Sequence, residues 1–337
     1  MRKPVVLVTG AGGEIGHALV ARFAERETGI ITLDVNPLER SVAQSVAREF
    51  TGSICDTSLL ERILAEFEVD CVFHLAALLS TRAEFTPVTA HHVNVEGTLN
   101  LLEFAQRQGE SHGRAVTFIY PSSIAAYGLP DRATKERAGR VREDEYGHPV
   151  TMYGCNKLYA EELGRYYARH YKQLSVDATP HVDFRAVRFP GLISAATEPA
   201  GGTSDYASEM IHAAARGEPY SCFVRPDTRI PFMAMPDASE ALVTLAAAPR
   251  DRLRRTAYNV GAFSVSAADI RDVVAAAFPG AAIAYKIDEK RQGIVDSWPA
   301  DVDDSAARAD WGFRPAYDFE RAFREYLIPT ISRRYTR

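Results

Sequence analysis

The sequence is poor in cysteine and has no long apolar run. Its 337 residues include four cysteines, none of them in a Cys-x-x-Cys pair. Scattered cysteines argue against a zinc site or a disulfide framework and fit a reducing cytoplasm, so no metal is expected. No apolar stretch reaches the roughly 20 residues needed to cross a membrane. The first strand is predicted to begin by about Pro4, which leaves no room for a signal peptide. We therefore predict a cytoplasmic protein without membrane contact.

The sequence also lacks a strong charge imbalance, internal repeats and low-complexity tracts. Its net charge is -5, with 46% hydrophobic and 25% charged residues. This balance excludes the basic surface that a nucleic acid or an anionic membrane would require. The length suits one large α/β domain or two smaller domains. The partner expected is a small-molecule substrate, which the motifs described below indicate.

The first predicted strand runs directly into a glycine-rich turn. Residues 5–8 are apolar without alternation, as in a strand buried on both faces, and three glycines follow at a spacing of three. Glycine lacks a Cβ, so the backbone N–H groups of such a turn can approach a phosphate. A helix predicted over residues 15–27 directs its positive end at the same point. The turn is thus predicted to bind a dinucleotide through Gly10, Gly13, Glu14, Ile15 and Gly16.

An acidic residue ends the second predicted strand. Asp34 lies about 20 residues beyond the turn, where a carboxylate accepts hydrogen bonds from the adenosine ribose. The same negative charge repels the 2′-phosphate of NADP, and Arg40 is the nearest basic residue that could offset it. We therefore predict NAD as the cofactor and leave NADP open.

Strands and helices alternate through the first half of the chain. Further strands are predicted over Thr51–Ile54, Asp70–Leu75, Ala115–Tyr120 and Val182–Arg188, and a long helix over Val88–Arg107. This alternation predicts an α/β protein with a Rossmann-type, doubly wound parallel sheet. Ligands of such sheets bind beyond the carboxyl ends of the strands. The candidate binding residues at those ends are Asp56, Leu75, Ala76, Ala77 and Ser123.

The regular alternation stops near Gly191. Residues 1–190 are predicted to form the NAD-binding Rossmann domain. Residues 191–337 are predicted to form mainly a smaller C-terminal substrate-binding lobe, with some elements returning to the Rossmann core. Two polar stretches are interpreted as surface segments, the charged loop Gly128–Val150 and the insertion Lys172–His181. The charges of the first stretch are interpreted as a solvated face.

Two polar side chains share one face of a helix predicted to end near Tyr171. Tyr153 and Lys157 are four residues apart. A phenol with a pKa of about 10 is a poor base at neutral pH, but a neighbouring ammonium lowers that pKa. The pair can then take a proton from an alcohol while a hydride leaves for a nicotinamide ring. Ser123 can hydrogen-bond the substrate oxygen, and Lys157 can hold the nicotinamide ribose. Taken alone, the pair would also suit an exposed helical contact.

These motifs resemble those of the extended short-chain dehydrogenase/reductase superfamily. The matches are Thr9-Gly10-x-x-Gly13-x-x-Gly16, His74-Leu75-Ala76-Ala77, Asn94, Ser123, Tyr153-x-x-x-Lys157 and Arg188-Phe189-Pro190-Gly191. The resemblance implies an NAD-dependent enzyme in which Ser123, Tyr153 and Lys157 are catalytic. It adds Asn94 and Pro190 to the cofactor-binding residues, together with Tyr153 and Lys157. It also implies a homodimer formed through the Tyr153 helix and the predicted Val88–Arg107 helix.

The C-terminal half resembles the short-chain L-threonine 3-dehydrogenases in particular. Gly201–Ala207 is similar to the Gly-Gly-Thr-Thr-Asp-Tyr-Ala segment of that family, and Arg291-Gln292 and Asp296–Pro299 match as well. The resemblance implies oxidation of the C3 hydroxyl of L-threonine by NAD to give 2-amino-3-oxobutanoate. Arg188 would serve the substrate carboxylate or only hold the sheet end. The substrate-binding residues implied are Ser80, Ser122, Ser123, Arg188, Thr203 and Trp298.

Two other functions stay open at this point. An NAD-retaining nucleotide-sugar epimerase or dehydratase would need basic groups for a diphosphate, and Arg225 and Arg229 are candidates. A non-catalytic NAD-sensing protein is disfavoured because all three catalytic candidates are present. The segments Gly128–Val150 and Lys172–His181 depart from the pattern of the threonine enzymes. Surface loops tolerate such changes, but the first segment could also indicate a different substrate.

Overall fold

A computed structural model describes residues 4–24, 29–199 and 201–335. The chain divides into two compact units, each built from three stretches. Unit 1 comprises Met1–Ser122, Asn156–Val187 and Leu242–Tyr258. Unit 2 comprises Ser123–Cys155, Arg188–Ala241 and Asn259–Arg337. The division therefore falls immediately before Ser123 in one strand and immediately after Cys155 in one helix.

The core of unit 1 is a seven-stranded sheet. Its strands are β1 Val5–Thr9, β2 Ile30–Asp34, β3 Arg48–Thr51, β4 Val69–His74, β5 Val116–Ser123, β6 Val182–Phe189 and β7 Ala257–Asn259. Their order across the sheet is β7-β6-β5-β4-β1-β2-β3. β1 pairs in parallel with β2 and with β4, β2 pairs with β3, and β4 pairs with β5. The strand order changes direction at β1 and β4, as in a doubly wound sheet. The predicted Rossmann-type α/β fold is confirmed.

Apolar strands and amphipathic helices account for the core of unit 1. Every residue of β1 and of β6 is buried, which explains the unbroken apolar run at residues 5–8 of β1. β6 also buries charged residues, and the Arg185 guanidinium pairs with Oδ2 of Asp183 at 2.6 Å. Leu59, Leu60 and Ile63 of one helix pack into the same apolar cluster. The α-helices of this unit are Glu14–Ala24, Arg40–Ala43, Thr57–Glu66, Ser80–Phe85, Pro87–His91 and Gly97–His112. Unit 1 also contains a π-helical turn at His92–Glu96 and a 3-10 turn at Arg250–Arg252. Two further helices, Met152–Arg169 and Met235–Ala247, continue across the division between the units.

Most predicted boundaries in unit 1 differ from those of the structure by one to three residues, and the other differences concern three elements. The predicted strand Thr51–Ile54 is wrong, because β3 ends at Thr51 and the Ser53 hydroxyl then accepts a bond from the Cys55 N–H at 3.1 Å, which turns the chain. The first helix begins at Glu14, and its predicted end at Glu27 lies outside the described residues. The predicted Val88–Arg107 helix extends instead from Pro87 to His112.

Unit 2 has its own apolar core and three small sheets. In the first, Arg229–Ala234 pairs antiparallel with Phe263–Ser266 and parallel with Gly191–Ile193. The parallel pairs Tyr220–Cys222 with Ile283–Tyr285, and Arg140–Val141 with Asp301–Val302, form the other two. Its α-helices are Arg132–Ala138, Tyr206–Arg216, Ala267–Ala277, Glu289–Asp296, Ser305–Trp311, Phe319–Arg321 and Ile328–Tyr335, with a 3-10 turn at Ile124–Ala126 and a π-helical turn at Ala322–Leu327.

The charged segment Gly128–Val150 is more ordered than predicted. It contains the helix Arg132–Ala138 and a short strand, and Lys135 is only 6% exposed. The Lys135 ammonium donates to the carbonyl of Val295 at 2.9 Å. The interpretation of this segment as a solvated face is therefore wrong for Lys135, because a carbonyl 160 residues away replaces its water. The Lys172–His181 insertion lies on the surface as predicted, with Leu174 fully exposed.

Candidate active site

The glycine turn after β1 is too tightly packed for larger residues. Gly10 has a φ of +67°, and a Cβ there would lie 2.5 Å from the backbone nitrogen of Ala76. A Cβ on Gly16 would lie 2.5 Å from the carbonyl oxygen of Ala11. The turn thus lies against the segment that follows β4, and the Glu14–Ala24 helix begins directly after it. The predicted residues Gly13, Glu14 and Ile15 lie in this turn and in the first turn of that helix.

Asp34 at the end of β2 is fastened to the glycine turn. Its Oδ2 accepts a bond from the Gly12 N–H at 2.9 Å, and its Oδ1 accepts one from the Asn36 N–H at 2.9 Å. Each carboxylate oxygen has a further lone pair, so Asp34 can still accept from ribose hydroxyls. Sequence reasoning did not single out Gly12, although its place inside the glycine turn was a usable signal.

His74, the last residue of β4, makes two buried hydrogen bonds. One ring nitrogen, Nδ1, lies 2.9 Å from the Thr9 hydroxyl, and Nε2 lies 2.9 Å from the Thr98 hydroxyl. Burial, aided by the charge of Lys157, lowers the pKa of His74 to about 3. The imidazole is therefore neutral at physiological pH and acts as a structural link. Leu75 continues the ladder by donating its N–H to the carbonyl of Thr9 at 3.1 Å.

Asn94 lies on the π-helical turn and is buried. Its Oδ1 accepts from the Leu78 N–H at 2.8 Å, and its Nδ2 donates to the Leu78 carbonyl at 3.0 Å. The same amide nitrogen donates to Oδ1 of Asn156 at 3.3 Å. Asn94 thus joins the chain just after Ala77 to the helix that carries Lys157. Asn156 was missed from the sequence, where its position directly before Lys157 was the only signal.

The remaining predicted binding residues of unit 1 have simpler environments. Asp56 caps the Thr57–Glu66 helix by accepting from the Leu59 N–H at 3.1 Å. Ser80 is the first residue of the Ser80–Phe85 helix and is partly exposed. Their roles toward ligands stay predictions.

Lys157 lies in a buried environment formed by β5. Its ammonium donates to the carbonyl of Pro121 at 2.6 Å and lies 4.4 Å from the centre of the Tyr120 ring. Burial lowers the pKa of Lys157 to about 7, and the charge of Glu161 acts in the opposite direction. Ser122, the next residue of β5, donates its hydroxyl to Oε1 of Glu161. A cation, a carboxylate and a hydroxyl are therefore buried together at this strand end.

In unit 2, the segments carrying Ser123 and Tyr153 pack directly on each other. The Ser123 hydroxyl accepts from the Ala125 N–H at 3.1 Å and caps the Ile124–Ala126 turn. A Cβ on Gly154 would overlap the carbonyl oxygen of Ala125, so the first turn of the Tyr153 helix lies against the turn that follows Ser123. Sequence reasoning missed Gly154, although it stands between the two predicted catalytic residues of the helix.

Burial raises the pKa of Tyr153 above its ordinary value. This direction is opposite to the one expected from a neighbouring ammonium, because the loss of hydration disfavours the charged phenolate. Tyr153 is therefore a neutral phenol in this structure.

Arg188 is buried and bonded within unit 2. Its Nη1 donates to the carbonyl of Glu143 at 2.9 Å, and the guanidinium lies 4.7 Å from the centre of the Tyr127 ring. The Tyr127 hydroxyl in turn donates to Oδ1 of Asn259 at 2.7 Å. These contacts fasten the Gly128–Val150 segment, which favours the structural one of the two predicted roles of Arg188. Pro190, two residues further on, is also buried.

Thr203 is buried in a turn that Arg291 holds. Arg291 was matched to the threonine enzymes in the sequence but was given no role there. The Arg291 guanidinium donates to the carbonyl of Gly202 at 2.8 Å and lies 3.3 Å from the centre of the Phe223 ring. Trp298 follows the same helix and is 5% exposed. A pocket of about 550 Å³ lies between the Gly128–Val150 segment and residues 293–297, immediately before Trp298.

The two arginines considered for a diphosphate are both occupied by carboxylates. Arg225 Nη2 lies 2.9 Å from Oδ1 of Asp296. Arg229 Nη2 lies 3.2 Å from Oδ2 of Asp269, and its Nη1 donates to the carbonyl of Ser264 at 2.6 Å. A diphosphate would have to displace these partners.

Two absences hold for the part of the chain that the structure describes. No group of three or more His, Cys, Asp or Glu side chains is placed so that it could hold a metal ion. Among the same residues, no helix has both the length and the apolar character required to cross a membrane.

Comparison with known proteins gives a family match over most of the chain. The model of the NAD dependent epimerase/dehydratase family matches residues 6–261. An uncharacterized epimerase/dehydratase of Staphylococcus haemolyticus (strain JCSC1435) is 37% identical over 316 residues, which are 93% of this chain and 93% of that protein.

Solved structures show a similar fold over nearly the full length. A GalE-like L-threonine dehydrogenase from Cupriavidus necator, in its holo form, has a TM-score of 0.85 and 35% identity, covering 99% of this chain and 100% of that chain. A monomeric L-threonine 3-dehydrogenase from a metagenome database, in its apo form, has a TM-score of 0.85 and 34% identity, covering 98% and 100%.

Proposed function

This chain belongs to the NAD dependent epimerase/dehydratase family of extended short-chain dehydrogenases/reductases, and from that premise we propose that it oxidises the C3 hydroxyl of L-threonine with NAD. The product would be 2-amino-3-oxobutanoate. The observation that carries this proposal is the full-length likeness to the two solved L-threonine dehydrogenases described above.

The residues of unit 1 fit a dinucleotide cofactor. The glycine turn leaves no space for side chains at Gly10 or Gly16, and it leads into the positive end of an eleven-residue helix. Asp34 presents a carboxylate beside that turn, which suits the ribose hydroxyls of NAD and disfavours a 2′-phosphate. We propose that these residues hold the adenosine half, while Lys157 binds the nicotinamide ribose.

Three side chains have separate roles in the proposed oxidation. Bound NAD supplies the hydride acceptor. Tyr153, once it is a phenolate, takes the proton of the C3 hydroxyl and becomes a phenol, and Ser123 donates a hydrogen bond to the same oxygen. The Lys157 ammonium favours the phenolate of Tyr153, which burial alone disfavours. Of the amino-acid contacts implied by the resemblance, we propose Ser80, Thr203 and Trp298. Ser122 donates its hydroxyl to Glu161, and Arg188 donates to the carbonyl of Glu143, so we assign these two residues to the support of the site.

The environment of the basic residues favours a dehydrogenase over a nucleotide-sugar enzyme. Arg225 and Arg229 are each paired with a carboxylate in unit 2. Breaking such pairs leaves a carboxylate without its partner, which costs part of the gain from binding a diphosphate. A small amino acid makes no such demand on these two arginines.

The deciding experiment is NADH formation from L-threonine, beside L-allo-threonine, L-serine and 3-hydroxybutyrate. Turnover confined to L-threonine would support the proposal. Activity on another hydroxy acid alone would support the proposed reaction type with a different substrate. No NADH from any of them, together with NAD that co-purifies, would favour the epimerase reading and call for a nucleotide-sugar screen.

Asp34→Asn is expected to weaken NAD binding by roughly 10- to 100-fold and to raise the relative affinity for NADP. The change removes a charged acceptor worth about 1.5–3 kcal/mol and removes the repulsion of a 2′-phosphate. Isothermal titration with both cofactors measures the ratio. Asp70→Asn is the control, because Asp70 lies at the start of β4 and pairs with Arg114 at the surface. Equal selectivity in the two variants would contradict the assigned role of Asp34.

We further propose that the protein forms a homodimer through the Gly97–His112 and Met152–Arg169 helices. Large side chains on these helices are exposed, including Leu99, Tyr159 and Tyr166. Burying such side chains against a second copy would stabilise a dimer. One similar solved protein is a monomeric L-threonine 3-dehydrogenase, and light scattering distinguishes the two states. Light scattering at the mass of one chain would contradict this proposal.

A further inference from the structure

Lys157 is buried, and the loss of hydration disfavours its charge. It is 4% exposed, with the Pro121 carbonyl and the Tyr120 ring as its contacts from β5. Because burial lowers its pKa to about 7, Lys157 would lose part of its charge near neutral pH. The proposed oxidation requires the charged form, since it is the ammonium that favours the phenolate of Tyr153.

Glu161 is a second buried charge, one helical turn beyond Lys157. It is also 4% exposed, and it accepts a hydrogen bond from the Ser122 hydroxyl, itself 3% exposed. Residues four apart on a helix are neighbours on one face. A buried carboxylate beside a buried ammonium offsets part of the cost of burying either charge. Glu161 therefore contacts β5 through Ser122 and acts on Lys157 through its charge.

The structure assigns Glu161 as a positioning residue for the proposed reaction: its buried negative charge keeps Lys157 an ammonium, and its bond to Ser122 fixes the strand end that carries Pro121. This inference rests on the proposed function, because the ammonium matters only if Tyr153 and Lys157 act on substrate and cofactor. Glu161 itself takes no part in the proton or hydride transfer.

The titratable groups of β4 and β5 near Lys157, and Tyr153 earlier on the same helix, do not supply this charge. His74 on β4 is neutral, because its pKa is lowered to about 3. Tyr120 on β5 presents its ring. Tyr153, on the same helix, has a raised pKa and is a neutral phenol. Glu161 is the acidic residue whose charge raises the pKa of Lys157.

Glu161→Gln tests the inference, with Glu162→Gln as a matched control on the same helix. The Glu162 side chain is 54% exposed and pairs with Arg165, so its loss removes the same formal charge without touching the buried group. Without the Glu161 carboxylate the pKa of Lys157 falls further, and the ammonium is lost at a lower pH. The alkaline limb of kcat/KM, recorded from about pH 6 to about pH 9, is expected to move down by about one pH unit. Turnover at about pH 8 then falls roughly tenfold.

A second readout does not depend on L-threonine. If Lys157 holds the nicotinamide ribose, NAD affinity declines as Lys157 loses its proton, and this decline is expected at a lower pH in Glu161→Gln. Wild-type protein that binds NAD but fails to oxidise L-threonine would remove the proposed function and leave this readout intact. If turnover and NAD affinity of Glu161→Gln depended on pH as they do in the wild-type protein, the assignment of Glu161 would be overturned.

Two further variants keep the test decisive if Glu161→Gln does not fold. Glu161→Asp retains the charge and is expected to keep the alkaline limb near its wild-type pH, with lower kcat. Ser122→Ala removes the bond to Glu161 and leaves the carboxylate beside Lys157, so kcat is expected to fall several-fold without movement of that limb. A wild-type kcat in Ser122→Ala would show that the strand end needs no such bond, and it would overturn the positioning role.

Discussion

Tyr153→Phe is expected to lower NADH formation from L-threonine by at least ~100-fold, with NAD affinity and melting temperature close to wild type. Proton transfer by a positioned side chain typically contributes about 10²- to 10⁴-fold to an enzymatic rate. The substitution removes one hydroxyl and retains the ring, which packs against the apolar core of unit 2. The fold is therefore preserved while the proton acceptor is lost. Initial rates of NADH absorbance measure the effect.

Tyr159→Phe is the matched control for this prediction. Tyr159 lies on the same helix and is 54% exposed, so the identical change there should leave the rate within about twofold. A Tyr153→Phe enzyme that retained full turnover would contradict the catalytic assignment. That result would also reopen the reading of the chain as an NAD-sensing protein without catalysis.

Gly10→Ala is expected to destabilise the protein by about 3 kcal/mol or more and to weaken NAD binding at least ~10-fold. Two costs add at this position. An alanine at a φ of +67° pays about 1–2 kcal/mol of backbone strain, and its Cβ would lie 2.5 Å from the Ala76 backbone. Overpacking of this kind adds about 1–3 kcal/mol. Because the neighbour is backbone, it cannot rotate away, and the glycine turn must shift. Melting temperature and NAD titration report the two effects.

Gly113→Ala separates the two costs. Gly113 ends the Gly97–His112 helix at a φ of +74°, and an added Cβ there would meet no atom within 4 Å. This variant therefore carries the strain of the left-handed conformation alone. It should lower the melting temperature less than Gly10→Ala and leave NAD affinity unchanged. Equal losses of stability in the two variants would show that the contact with Ala76 is unimportant.

The fold class could be predicted because the patterns that indicate it are local in the sequence. An unbroken apolar run predicts a strand buried on both faces, and β1 is buried at all five residues. Alternation of such runs with amphipathic helices leaves few arrangements other than a doubly wound sheet. The position of Asp34 was equally predictable, since strand length and sheet register place it beside the glycine turn.

Element boundaries were less predictable because they depend on single contacts. β3 is Arg48–Thr51 instead of Thr51–Ile54, and its one fully buried residue is Phe50. The polar residues on either side of Phe50, Glu49 partly exposed and Thr51 exposed, resemble loop residues in the sequence. The predicted Val88–Arg107 helix contains a π-helical turn at His92–Glu96. Hydrophobic periodicity has no signal for one inserted residue in a turn.

Site residues missed from the sequence have partners far away along the chain. Asn156 receives the amide of Asn94, 62 residues earlier, and Arg291 holds the carbonyl of Gly202, 89 residues earlier. Lys135 donates to a carbonyl 160 residues later, so its charge was assigned to solvent. No local pattern distinguishes such side chains from exposed ones of the same type. Only the folded chain shows which polar groups exchange water for a distant partner.

The three-part construction of unit 2 has a consequence for the order in which the protein can fold during synthesis. The stretch Ser123–Cys155 carries Ser123 and Tyr153, and its short strand pairs with Asp301–Val302. Lys135 likewise lacks its hydrogen-bond acceptor until Val295 has been synthesised. When the ribosome has made the first half of the chain, these residues still lack the segments that cover them. The nascent chain therefore exposes apolar surface until roughly nine-tenths of it has been made, which lengthens its exposure to aggregation and its need for chaperones.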